Sequence, residues 1–438
     1  MRATILTAIS FIVLAACQHS PSTPVQLDEP EPKPVPVTLV ETSQGFQIQR
    51  NGQPFFINGA GGSSQMALLK AVGGNAVRTW STDNAQRILD EAHRNGLVVM
   101  MGLRLGHERH GFDYNDKQAV ADQFEQVKAD VLKYKDHPAL LAWGIGNEVD
   151  LFYTNTNVWY AVEDIAAFIQ RVDPNHLVTT VTAGMNKEKL DIILERVPSI
   201  DYLSINIYGG LETLPGDLQA MGYSGPFAVT EWGPTGHWQV EKTAWDVPIE
   251  QTSTEKAASY RQRYQEGIVA ARGRALGSFA FLWGQKQETT PTWYGVFTET
   301  GHPTEVVDTL SLNWTGSWPE ARAPSIDSVN MNGAGRFDNV TVQANSQVKA
   351  EVTLVKRSDN TPAINWEVLP ESTDIKAGGD PESRPASMKE LNIQSDGLGN
   401  VTFTAPATPG AYRLFVYAMD KNGKVANANI PFLVKAEQ

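Results

Sequence analysis

The sequence predicts an α/β fold, a (β/α)8 TIM barrel over residues 38–318, followed by a linker and an all-β, Ig-like sandwich over residues 319–438. Short apolar runs alternate with amphipathic helical patterns over roughly 250 residues, which is the usual size of such a barrel. The runs are continuously apolar, as expected for parallel strands that are buried on both faces. An open doubly wound sheet stays an alternative, although no Gly-rich phosphate loop follows the first strand.

Eight apolar runs are the candidate barrel strands. They span residues 55–59, 75–80, 97–102, 140–145, 177–181, 202–206, 227–230 and 278–282. Helical patterns between them span residues 83–95, 117–134, 158–172 and 254–272. In a barrel of this kind all strands end at one rim, and functional residues lie there.

The composition changes after Trp318. Pro319 and Pro324 indicate a linker, and short β-type runs such as residues 340–342 and 401–403 follow it. These features predict the sandwich, which could either bind a ligand or support the barrel. The sequence shows no obvious row of exposed aromatic residues there, which favours the supporting role.

The N-terminus predicts export. Residues 1–16 contain Arg2, an apolar core and small residues, as signal peptides do. They end at Leu14-Ala15-Ala16-Cys17, which resembles a bacterial lipobox and implies lipidation of Cys17, the only cysteine of the chain. Residues 17–37 are rich in proline and predict an extended tether. The resemblance implies an exported lipoprotein of the outer membrane, which contacts the membrane through its lipid anchor alone.

Two predicted strands end in glutamate. Strand four ends in Asn147-Glu148 and strand seven runs into Glu231, so both carboxyl groups point into one barrel mouth from opposite walls. Two carboxyl groups across one pocket suit glycoside hydrolysis, because one protonates the leaving oxygen while the other attacks or activates water. A separation of about 5–5.5 Å gives retention of configuration and about 6.5–9.5 Å gives inversion.

Three segments carry a family resemblance. Residues 137–148, residues 172–175 (Val-Asp-Pro-Asn) and residues 230–233 (Thr-Glu-Trp-Gly) resemble the catalytic domain of glycoside hydrolase family 2. Residues 144–149 (Gly-Ile-Gly-Asn-Glu-Val) are also similar to yeast cell-wall β-1,3-glucanosyltransferases, which belong to the same clan A of retaining (β/α)8 barrels. The resemblance covers about residues 45–315. It implies a retaining β-glycosidase that cleaves a β-linked glucan or oligosaccharide without a cofactor.

The resemblance also implies residue roles. Glu148 would be the acid/base, Glu231 the nucleophile, and Asn147 the ligand of the sugar 2-hydroxyl. Arg78 and Tyr208 would hold the Glu231 carboxylate, and Trp283 would form the floor of the sugar site. Trp80 and Trp232, two aromatic residues on the predicted rim, would also bind substrate. Each has a structural alternative, since a strand-end glutamate can cap a helix and aromatic residues also fill barrel tops.

Two other functions stay open on the same barrel. A β-glucan transglycosylase would use the same two carboxyl groups and exclude water from the acceptor site. A non-catalytic carbohydrate-binding lipoprotein would keep the barrel without the chemistry. The net charge of −13 argues against a nucleic-acid partner, and the sequence leaves the oligomeric state open.

One motif superficially resembles a metal site. The segment His107-Glu108-Arg109-His110 spaces its histidines three residues apart, whereas the zinc motif on a helix spaces them four apart. We therefore expect no metal there, and these residues could equally line a sugar subsite.

The lipobox yields a first prediction. Cells that express the wild-type chain with radioactive palmitate should label it, because a lipidated cysteine carries acyl chains. Cys17→Ala should abolish the label, while Ser20→Ala, three residues away in the tether, should keep it. Equal labelling of the wild type and Cys17→Ala would contradict the lipoprotein interpretation.

Overall fold

A small antiparallel sheet precedes the barrel in the computed structural model, which describes residues 33–357 and 361–437. Its strands are β1 (Val37–Thr42), β2 (Gly45–Arg50) and β3 (Gln53–Phe55). The sequence prediction had included this segment in the barrel. The predicted signal peptide, Cys17 and most of the tether lie outside the described residues. Within the described part of the chain, no helix is long and apolar enough to cross a membrane.

Eight parallel strands close into the predicted barrel. They are β4 (Ile57–Gly61), β5 (Ala76–Arg78), β6 (Val98–Leu103), β7 (Leu140–Ile145), β8 (Leu177–Ala183), β9 (Tyr202–Asn206), β10 (Phe227–Trp232) and β11 (Ala275–Ala280). The (β/α)8 prediction is confirmed. The first strand starts later than predicted because Phe55 pairs with Ile48 in the preceding sheet, and the eighth ends earlier, at Ala280.

The helices alternate with these strands. They are α1 (Met66–Ala71), α2 (Ala85–Arg94), α3 (Lys117–Tyr134), α4 (Val158–Val172), α5 (Lys187–Arg196), α6 (Leu214–Ala220), α7 (Ser253–Arg263) and α8 (Glu305–Thr315). α3 and α4 have the predicted bounds. The helix predicted over residues 254–272 ends sooner and continues as one π-helical segment, Tyr264–Val269, in which Gly267 lies against Leu211.

Two hydrophobic clusters cover the two faces of the barrel strands. One lies inside it and includes Val98, Leu141 and Phe279, while the other lies between the strands and the surrounding helices. The interior is tightly packed, since a Cβ added at Gly59 would lie 2.4 Å from the Phe279 ring. A side chain larger than glycine therefore has no room at this position, as expected in a packed barrel interior.

The C-terminal domain is the predicted β-sandwich. Its strands are β12 (Ile326–Met331), β13 (Thr341–Gln343), β14 (Gln347–Leu354), β15 (Ala363–Pro370), β16 (Gln394–Ser395), β17 (Asn400–Thr404), β18 (Gly410–Met419) and β19 (Val425–Lys435). One sheet has the order β12-β14-β17-β16 and the other β13-β19-β18-β15. Alternating residues of both sheets, such as Val348 and Val416, share one core.

A buried polar network joins the sandwich to the barrel. The Glu250 carboxylate accepts hydrogen bonds from Lys256 at 2.5 Å, from Thr290 at 2.6 Å and from Asn429 of β19 at 2.7 Å. Arg413 of β18 donates to Asn429 Oδ1 at 2.7 Å and to the Pro248 carbonyl at 2.8 Å. Because these groups are buried, each depends on its partners for solvation.

Removing the cation of this network should destabilise the protein. Lys256→Met leaves the buried Glu250 charge without its ammonium partner, which costs about 3–5 kcal/mol in the free energy of unfolding. Urea unfolding followed by tryptophan fluorescence measures the change. Lys242→Met, which removes a solvent-exposed ion pair with Asp246, should change stability by less than about 1 kcal/mol. Similar losses for both variants would contradict the importance of the network.

Candidate active site

Glu148 lies just beyond β7, on a turn that is fixed to the neighbouring strand. Its backbone amide donates to the Val181 carbonyl of β8 at 2.9 Å. Asp150 accepts from the Ala183 amide at 3.1 Å and forms an ion pair with Lys189. Glu148 has a φ of 51°, in the left-handed region that a residue with a Cβ rarely adopts. Strain of this kind often marks functional positions.

Glu231 lies in β10, and three side chains donate hydrogen bonds to its carboxylate. Arg78, at the end of β5, donates from Nη1 to Oε1 at 2.8 Å. Trp80 donates from Nε1 to the same oxygen at 2.7 Å, and Tyr208 donates from its hydroxyl to Oε2 at 3.0 Å. These donors fix the orientation of the carboxylate and stabilise its negative charge.

Asparagine side chains connect the two carboxylates. Arg78 Nη2 donates to Asn147 Oδ1 at 2.5 Å. The Asn206 amide donates to Glu148 Oε1 at 2.9 Å and to Asn147 Oδ1 at 3.2 Å, while its own oxygen accepts from Thr230 at 2.8 Å. Both carboxylates therefore belong to one continuous hydrogen-bonded network at one barrel mouth.

The two carboxylates have different electrostatic environments. Burial, followed by the nearby charge of Glu231, raises the pKa of Glu148 to about 7. Glu148 is thus a group that can hold a proton near neutral pH, whereas Glu231 has three donors around it. Burial also raises the pKa of Tyr208 well above its usual value, so its hydroxyl stays a donor. Such asymmetry separates an acid from a nucleophile.

The structure brings together six of the eight predicted site residues. These are Arg78, Trp80, Asn147, Glu148, Tyr208 and Glu231. All of them except Arg78 line one cleft of about 1800 Å³, and Arg78 lies buried directly behind Glu231 and Asn147. Cys17 lies outside the described residues.

Two predicted substrate contacts are wrong. Trp232 is fully buried against Tyr260 and Tyr264, because successive strand residues point to opposite faces and Glu231 points inward. Trp283 is 1% exposed and packs on Phe297 with ring centroids 5.0 Å apart. Since β11 ends at Ala280, the residues that reach the cleft in place of Trp283 are Phe281 and Leu282.

Several further cleft residues are not among the predicted site residues. Asn206 ends β9 as Asn147 follows β7, so its strand-end position was a usable signal. Trp238 and Phe152 are 58% and 68% exposed in the cleft, and exposed aromatic faces of this kind suit the C–H faces of sugars. Residues 375–381 of the sandwich also line the cleft, and nothing local in the sequence indicated it.

The histidine motif has separate structural roles. His107 Nε2 lies 2.7 Å from the Asn147 carbonyl oxygen, to which it donates, and burial lowers the pKa of His107. Glu108 accepts from Thr154, and His110 contacts Asp380 at 2.8 Å. Within residues 33–357 and 361–437, no group of three or more such side chains is arranged to hold a metal ion.

A closed (β/α)8 barrel with two carboxylates at its rim is the arrangement that the resemblance to clan A glycoside hydrolases predicts. Residues 63–235 match the family model of the glycosyl hydrolases family 2 TIM barrel domain. The predicted resemblance to family 2 is therefore confirmed for this segment. The further similarity to glucanosyltransferases stays a prediction.

Several related proteins are named as glycosidases. The chain is 23% identical to a β-glucuronidase of Paenibacillus borealis over 63% of this chain and 52% of that protein. It is 28% identical to a β-galactosidase of Vibrio vulnificus over 38% of this chain and 17% of that one. A 60-residue segment is 45% identical to mannan endo-1,4-β-mannosidase F of Aspergillus clavatus, over 14% of each chain. The chain thus spans about half or less of these relatives.

A solved structure supports the fold. The FMN-binding β-glucuronidase from Facaelibacterium prausnitzii L2-6 aligns with a TM-score of 0.50 and 16% identity. The alignment covers 91% of this chain and 59% of that chain. At this level of identity the likeness concerns the fold alone.

The raised pKa of Glu148 predicts the pH dependence of activity. A general acid must be protonated in the free enzyme, so kcat/KM should fall as pH rises through about 7. With an ordinary glutamate the fall would begin near pH 4.5. Initial rates on an aryl β-glycoside between pH 4 and 9 measure this limb. Glu148→Gln should remove it, and an unchanged alkaline limb in that variant would assign it to another group.

Proposed function

We propose that this protein is a retaining β-glycosidase that hydrolyses a β-linked glucan or oligosaccharide. The observation that carries the proposal is the pair of carboxylates on one network, Glu231 with three donors and Glu148 with a raised pKa, in one open cleft. Family 2 similarity of the barrel supports the same chemistry.

The reaction proceeds in two displacements. Glu231 attacks the anomeric carbon, while Glu148 gives its proton to the glycosidic oxygen as the C–O bond breaks. The products are a covalent glycosyl-enzyme and a free leaving group. Glu148, now ionised, then removes a proton from water, which attacks the anomeric carbon and releases Glu231. Arg78 and Tyr208 orient Glu231 throughout, and Asn147 contacts the sugar 2-hydroxyl.

The shape of the cleft favours an extended substrate. Its volume of about 1800 Å³ exceeds the space that one sugar needs, since typical small-ligand sites measure about 300–1,000 Å³. The exposed ring of Trp238 packs edge to face on Tyr208, with ring centroids 5.7 Å apart. Because Tyr208 donates to Glu231, an aromatic face suited to a sugar lies next to the nucleophile. We therefore propose an oligosaccharide or polysaccharide chain as the substrate.

We also propose that the enzyme acts at the cell envelope. The lipobox-like segment ending at Cys17 and the proline-rich stretch after it support a tethered lipoprotein of the outer membrane. A tether of about 3.1 Å per residue would let the cleft reach polymeric substrates near the membrane.

Substitution of each carboxylate tests the function. Glu148→Gln and Glu231→Gln should each lower kcat/KM for a β-linked oligosaccharide by at least about a hundredfold, because each removes an essential group without a change in shape. Glu125→Gln on the exposed surface of α3 is the matched control and should keep full activity. Wild-type activity in either cleft variant would reject the mechanism.

Chemical rescue assigns the two roles. With an activated aryl β-glycoside, azide should restore turnover of Glu231→Ala and give the α-glycosyl azide, because azide occupies the place of the nucleophile. Rescue of Glu148→Ala should give the β-azide. A panel of aryl β-glucoside, galactoside, mannoside and glucuronide identifies the sugar. Mass analysis of oligosaccharide products then distinguishes hydrolysis, which yields shorter chains only, from transfer, which also yields longer ones.

A further inference from the structure

One wall of the cleft comes from the C-terminal domain. The sandwich loop, defined as residues 371–388 between β15 and β16, reaches back over the barrel. Its residues 375–381 line the same cleft as Glu148 and Glu231. The catalytic mouth is therefore completed by a domain whose sequence gave no sign of a role in chemistry.

Barrel side chains hold the tip of this loop. Asp380 accepts from Arg109 at 2.9 Å and contacts His110 at 2.8 Å. Lys286, which follows β11, donates to the Gly379 carbonyl at 2.5 Å. Since these contacts come from two different barrel loops, the tip is fixed across the cleft.

Both ends of the loop are also anchored. Glu371 accepts from Arg413 at 2.9 Å, and Arg413 belongs to the buried network that joins the domains. At the other end, Arg384 donates to both oxygens of Glu367 at 2.9 and 3.0 Å. Glu382 accepts from the Thr289 amide of the barrel at 2.6 Å. The loop is thus a fixed wall.

The loop touches the turn that carries the acid/base. Gly378 has a φ of 65°, and a Cβ added there would lie 2.6 Å from Leu151 Cδ2. Leu151 in turn donates its amide to the Glu148 carbonyl at 3.0 Å. Glycine is needed at this position because of both the left-handed backbone and the close approach.

Exposed apolar side chains flank this contact. Phe152, next to Leu151, is 68% exposed with a φ of 59°, and Ile375 of the sandwich loop is 49% exposed. A bulky residue such as Phe152 rarely adopts a left-handed backbone conformation. Backbone strain of this kind is found most often at ligand-binding and active sites. Both side chains line the cleft rather than a core.

We propose that Phe152 and the sandwich loop form the binding site for the leaving-group sugars of an oligosaccharide. The inference rests on the proposed function, since the acid/base protonates the glycosidic oxygen and the leaving group therefore extends on the side of Glu148. Phe152 and Ile375 pack against the C–H faces of these sugars. The sandwich is then part of the active site, in addition to any role in supporting the barrel.

Substrates with and without leaving-group sugars test this site. Phe152→Gly removes the ring and suits the left-handed backbone, and Ile375→Ser removes the aliphatic side chain. Each should lower kcat/KM for laminaritetraose or cellotetraose, whichever the wild type cleaves, by at least about tenfold. Each variant should leave kcat/KM for β-glucosyl fluoride within about threefold of wild type. The leaving group of this substrate is a single fluoride ion, which does not reach Phe152 or Ile375.

Controls and outcomes separate the two proposals. Phe337→Gly and Leu398→Ser remove exposed apolar side chains of the sandwich that do not line the cleft. They should leave kcat/KM unchanged for both substrates. An equal loss on both substrates, or no loss on the tetrasaccharide, would overturn the leaving-group site while the wild-type activity upholds the glycosidase. A wild type that cleaves neither tetrasaccharide and releases no fluoride would reject the glucan function and this site together.

Discussion

The site depends on one buried cation. Arg78 is 1% exposed and donates to Glu231 of β10, to the Thr230 carbonyl and to Asn147 beyond β7. A guanidinium in this position needs anionic and carbonyl partners, because a buried charge without them is very costly. Its planar fork reaches two elements on different sides of the barrel mouth at once. The closed barrel makes this possible, since parallel strands deliver all of these residues to one rim.

The same geometry gives two chemically similar residues different properties. Glu231 lies within a strand, where Arg78, Trp80 and Tyr208 surround it with donors. Glu148 lies beyond its strand on a turn, where Asn206 donates to it and burial is the largest cause of its raised pKa. In this site the carboxyl group within its strand is therefore the one with more donors around it.

The sequence was informative where periodicity and strand ends decide the structure. Continuous apolar runs located the barrel strands, and the Asn-Glu and Thr-Glu strand ends located the centre of the site. Trp232 was misassigned although strand alternation, applied to its neighbour Glu231, places it outside the barrel. Trp283 was misplaced because the end of β11 depends on its pairing with β4 and β10. The sandwich loop was unpredictable, since its contacts join residues far apart in the chain.

The contacts of the sandwich explain how a distant segment can be part of a precise site. A loop that closes over a cleft loses conformational entropy unless other contacts already fix it. Here the ordering is carried by groups remote from the two carboxylates, namely the Glu250 network at the domain junction and the ion pairs at both ends of the loop. The tip is therefore ordered by the protein itself, so that the proposed substrate would lose little further conformational entropy from this loop on binding. A domain attached after the barrel can therefore shape the cleft that contains the two carboxylates.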